Sequence, residues 1–116
     1  MVQAALAMDK EKTMIDLDAT FEKHDDYMKF ERVENKLHSR PDLCAFLLLD
    51  KLLPNDGRYM VCAAEHDEIF LSADCGKLAE VATEDDILTL ARCGVRYDSS
   101  TGSLAMFTYS YTEMFT

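Results

Sequence analysis

Met14, Leu17, Phe21 and Met28 recur three and four positions apart, with His24 where the rhythm leaves a gap, and neither Gly nor Pro interrupts residues 9–38. That spacing predicts an amphipathic helix beginning after Met8. Phe30, Val33 and Leu37 keep helical spacing but fall out of phase. The helix therefore bends at His24-Asp25-Asp26, or stops there with Asp25 or Asp26 capping a second one. Residues 1–8 read as a disordered leader, leaving residues 9–116 as one domain.

Ser39-Arg40-Pro41-Asp42 is a helix-start signal: Ser39 to cap, Pro41 for the first turn and Asp42 to favour the helix dipole. From about Arg40 to Leu53 apolar side chains occupy nearly every side, which predicts a helix enclosed on most of its circumference and central to the core. Pro54-Asn55-Asp56-Gly57 ends it.

Residues 58–64 and 69–73 then read as strands joined by Glu65-His66-Asp67-Glu68, a hairpin. Asp74 is placed to cap a short helix over Cys75–Val81. Thr83-Glu84-Asp85-Asp86 forms a capping box with Asp86 in the usual Glu position, and Gly94 stands where a helix ends in the left-handed conformation. Residues 95–98 and 103–109 flank a turn at Ser99-Ser100-Thr101-Gly102, giving a second hairpin. The order helix, strand, strand occurs twice, but the side chains of the two halves do not align. The expected fold is α+β: a four-stranded antiparallel sheet of two hairpins, with the helices mainly on one face.

Composition adds one unusual quantity. Among 116 residues, 12 Lys and Arg face 22 Asp and Glu, a net charge of −10. Such a balance opposes binding to nucleic acid or to an anionic membrane and favours a basic partner. The longest apolar run, Leu43–Leu49, is far shorter than the ~20 residues that span a bilayer. The charge is spread almost evenly along the chain, with three local concentrations: Asp18, Glu22, Asp25 and Asp26; Glu65, Asp67 and Glu68; and Glu84, Asp85 and Asp86. Each also has a structural role open to it, in a solvated helix face, a turn and a helix start.

Cys44, Cys62, Cys75 and Cys93 contain no C-x-x-C pair, and no secretory signal precedes them, so a reducing cytoplasm is the expected compartment. Cys44 and Cys62 read as packed core residues. Cys75, at a helix start, is the best-placed nucleophile, because unpaired N–H groups there favour a thiolate. Cys62 and His66 could share a metal ion with Cys75 or Cys93 as further ligands. Asp16-Leu17-Asp18 opens like a calcium loop but has Phe21 where Gly is needed. The four glycines form no phosphate loop.

No catalytic group and no cofactor is nominated. The sequence therefore favours a small acidic protein, of the inhibitor or immunity type in size and charge, that binds a basic protein through an acidic face. Two alternatives stand beside it. One is self-association, including a homodimer, through Phe107, Tyr109, Tyr111, Met114 and Phe115. The other is a metal- or thiol-dependent activity of Cys62, His66 and Cys75.

Overall fold

A computed structural model describes residues 14–24, 26–54, 57, 59–65 and 67–107. They form four α-helices and a four-stranded antiparallel sheet, an α+β fold. Residues 1–8, expected as a leader, lie outside the described residues.

The first helix, α1, runs Leu17–Lys23. Asp16 fixes its start, its side chain accepting from the Ala19 N–H at 3.1 Å, and Leu17 and Thr20 are its buried positions. The expected second N-terminal helix does not form. His24 is extended, and only a single 3₁₀ turn, Phe30–Arg32, follows. Tertiary contacts redirect this stretch: Asp26 binds two arginines instead of capping a helix. Met28 takes a left-handed backbone (φ 62°) and donates its N–H to the Ala91 carbonyl at 2.9 Å.

Helix α2, Pro41–Leu52, starts with Pro41 in its first turn, as the sequence indicates, but its N-cap is Arg40 and not Ser39. Its enclosure is one-sided. Cys44, Ala45, Leu48 and Leu49 are buried, whereas Leu47 remains 44% exposed. A helix with apolar residues all round buries only the stripe its neighbour covers, and α2 meets the rest of the described fold chiefly through the later helix Glu84–Arg92.

Strands β1 (Val61–Glu65) and β2 (Glu68–Leu71) form the first hairpin. Glu65 and Glu68 pair within the ladder, so the connection is shorter than the expected four residues, with Asp67 at φ 62°. Helix α3, Cys75–Val81, is capped by Asp74 through the Lys77 N–H. Helix α4, Glu84–Arg92, opens with the full Thr83/Asp86 capping box. It ends at Gly94, whose φ of +100° a side chain would oppose. The second hairpin pairs β3 (Arg96–Asp98) with β4 (Ser103–Phe107).

The strand order is β1-β2-β4-β3, which places β1 and β3 at the edges. Directly paired residues share a face, so the pairs Leu71–Leu104 and Ile69–Met106, and Tyr97 beside Leu104, point one way. All five join the core with Leu17, Val33, Leu49, Leu78, Ile87 and Leu90. The helices thus pack on that face. On the other face Phe70 and Arg96 flank Ala105, and Glu68 sits opposite Phe107. Arg96 pairs with the Glu68 carboxylate and lies 5.5 Å from the Phe107 ring centre.

Candidate functional site

Two of the three acidic concentrations meet at the junction of α1 and α4. Apolar Leu17 and Ile87 share the core beneath it, and above it the Lys23 Nζ lies 2.7 Å from a Glu84 carboxylate oxygen. The His24 Nε2 stands 3.5 Å from the same oxygen. Hydrogen bonding from Lys23 holds the Glu84 carboxyl below its ordinary pKa. Glu22 and Asp85 are the sequence neighbours of this pair, each turned about 100° round its own helix from the contact. Asp18 lies one helical turn before Glu22 on α1. Asp18, Glu22 and Asp85 are exposed, and none has an ion-pair partner among the described residues.

Three of the remaining acids, Asp26, Asp86 and Glu68, are used internally. Asp26 accepts from the Arg92 Nε at 2.8 Å and from an Arg32 nitrogen at 3.0 Å, and Arg92 also donates to the Arg32 carbonyl at 3.1 Å. These bonds tie the loop after α1 to the last turn of α4. The Arg92 hydrogen bond is the main reason the Asp26 carboxyl is held below its ordinary pKa. Asp86 accepts from the Thr83 N–H at 2.9 Å. Glu68 is committed to Arg96 across the sheet. Glu65 and Asp67 are exposed at the far end of the β1–β2 hairpin, on the sheet and not on the helical junction. Asp25 lies outside the described residues. The ten acids therefore divide into a helical pair of concentrations that adjoin and a hairpin concentration on another element.

The thiols divide as well. Cys44 and Cys93 are buried in the core, where burial first, and the neighbouring Cys44 thiol second, push Cys93 up to about 12. Cys93 therefore stays protonated, and both side chains pack as small apolar groups. Cys75 is half-buried at the start of α3, and burial raises its pKa, outweighing a backbone hydrogen bond at Leu104 that favours the thiolate. Cys62 is not the packed residue its sequence context suggests. It is exposed on β1, where the register shifts between Val61 and Ala63, and its thiol donates to the Phe70 carbonyl at 3.4 Å. His66 lies outside the described residues, and among those described no three His, Cys, Asp or Glu side chains are grouped to hold a metal ion.

Of the apolar set, Phe107 ends β4 against Arg96; Tyr109, Tyr111, Met114 and Phe115 lie outside the described residues. An open cavity of about 660 Å³ is lined by Gly57, Tyr59, Val61, Cys62 and Ser72. Among its described lining residues, only the Tyr59 phenol and the Cys62 thiol can titrate. Sequence reasoning did not single out Arg92, the hub of the Asp26 network, or the exposure of β1. A basic residue in the last turn of α4 was the only local sign of the first, and the alternation-free run Val61-Cys62-Ala63-Ala64 the only sign of the second.

No helix among the described residues is long and apolar enough to cross a membrane. Compared with protein-family models, with curated proteins and with solved structures, the chain finds no match.

Proposed function

We propose that the protein is a binding module for a basic protein segment, and that its contact surface is the acidic ridge of Asp18 and Glu22 on α1 and Asp85 on α4. The observation that carries this reading is the Lys23–Glu84 contact. It brings two acidic concentrations of a −10 chain side by side, while three of their carboxylates are exposed and without an ion-pair partner among the described residues. Exposed like charges held together gain from an incoming cation and otherwise repel one another, so their arrangement favours a Lys- or Arg-bearing partner. The four acids already bound inside the fold, Asp26, Glu68, Glu84 and Asp86, shape the surface without being offered to a partner.

Titration calorimetry with a panel of Lys- and Arg-rich peptides tests this. Exposed charge pairs are screened by salt, so affinity should fall about tenfold or more between roughly 50 and 300 mM salt. The variant D18N/E22Q/D85N, which touches no cap or internal ion pair, should lose binding to a similar extent. No binding by any basic peptide, an affinity indifferent to salt, or full binding by the triple variant overturns the reading.

A further inference from the structure

The two edges of the sheet are built differently. β3 is three residues long, two of them charged, and α1 lies against it. Both features are devices by which proteins close an edge to strand addition. β1 has five residues, every one exposed, and Glu65 is its only charge. Beside it Tyr59 is 91% exposed. Neither Pro, Lys nor Arg stands in β1, and its single irregularity, at Cys62, leaves Ala63–Glu65 in regular register with β2. Among the described residues no strand pairs with the outer side of β1, whose N–H and C=O groups form an open template.

The same chain supplies a matching strand. β4 is described to Phe107, opposite Glu68, at the end of the sheet where the β1–β2 turn lies, and residues 108–116 follow it in the chain. Tyr109-Ser110-Tyr111-Thr112 alternates aromatic and hydroxyl side chains, residue types that favour a pleated strand. Glu113 is the one charged side chain in residues 109–115, so the segment brings a single carboxylate toward Glu65 and Asp67.

Reaching the free edge of its own β1 would mean crossing β2 and β1. That is about 14 Å at the ordinary strand spacing and uses up about four residues, both tyrosines included. A second copy imposes no such crossing. We propose that residues 109–115 of one copy add to β1 of another as a fifth strand, and that the exchange is reciprocal, giving a symmetric dimer.

Sedimentation equilibrium on three proteins tests this: the full chain, the chain ending at Phe107, and the full chain carrying Ala63→Lys. Circular dichroism confirms that each is folded. At about 100 µM the full chain should approach twice 13.2 kDa and dissociate on dilution, while both variants keep the mass of one chain. Amide exchange in the full chain gives a reading that needs no variant: protection at Cys62–Glu65 should rise with protein concentration. A full chain that stays monomeric, a truncated chain that dimerises equally, or protection of β1 independent of concentration overturns the proposal. The last result, if lost on truncation, identifies pairing within one chain.

Discussion

The two hairpins have the same topology, but β1 of the first and β4 of the second stand in opposite relations to the core. In the second, the central strand β4 buries Leu104, Ala105 and Met106, and its turn is locked by side chains. The Asp98 carboxylate accepts from the Ser100 N–H and hydroxyl and from the Thr101 hydroxyl, while the Gly102 N–H bonds the Asp98 carbonyl at 2.8 Å. In the first, β1 buries none of its five side chains, and Asp67 holds a left-handed backbone in the turn. A ladder partner is thus enough to make a strand, but not to make it part of the core. The unburied strand remains available for a further pairing.

The sharpest way to break this contrast is to remove equivalent apolar bulk from each hairpin. Leu104→Ala should cost about 2–5 kcal/mol, because a fully buried side chain leaves a cavity, whereas Val61→Ala should stay within about 0.5 kcal/mol. Urea denaturation of the two variants at a concentration where the chain is monomeric checks this. Similar losses would mean that β1 is as integral as β4.

A smaller difference should separate the turns. Gly102 has φ +70° with room for a Cβ, its nearest neighbour being the Tyr97 hydroxyl at 3.9 Å, so Gly102→Ala meets backbone strain and not a clash. A loss of about 1 kcal/mol is expected. At Asp67 the reverse exchange relieves the same strain, and Asp67→Gly should raise stability by roughly 0.5 kcal/mol. The midpoint of thermal unfolding should move in opposite directions for the two.

The smallest effect is acid sensitivity. Hydrogen bonds, first from the Ser100 side chain, hold the Asp98 carboxyl below its ordinary value of 3.8. A carboxyl whose folded pKa is depressed stabilises the fold above its unfolded pKa and loses that contribution as pH falls through the folded one. Acidification below about pH 4 should therefore loosen the β3–β4 turn. Under exchange conditions corrected for intrinsic rates, the Ser100 amide should lose protection in that range. Asp98→Asn, which has no carboxyl to protonate, should remove the pH dependence.

Much of the fold was legible because its signals are local. The Asp74 and Thr83/Asp86 caps, the left-handed Gly94, the Ser99–Gly102 turn and both hairpins each depend on residues a few positions apart, whose geometry the chain itself dictates. The failures have a common origin as well. Residues 30–38 have helical spacing, but Asp26 finds Arg92, 66 positions away, and Met28 finds Ala91, so the chain is drawn along α4 instead of continuing as a helix. The apolar circumference of α2 predicts enclosure that no neighbour provides at Leu47. Cys62 looks like a core residue until the sheet order places its strand at an edge.

The candidate site divides along the same line. The ten acids could be named from the sequence, but not which of them would be free. By itself the sequence determined an α+β chain of caps, turns and hairpins with a charge of −10. Those properties follow from near-neighbour chemistry and composition. Only the tertiary structure decided that Glu84 meets Lys23, that Glu68 is taken by Arg96, and that β1 and not β2 stands at the open edge. Long-range pairing depends on which faces bury the most apolar surface together, a property of the whole chain that no local pattern contains.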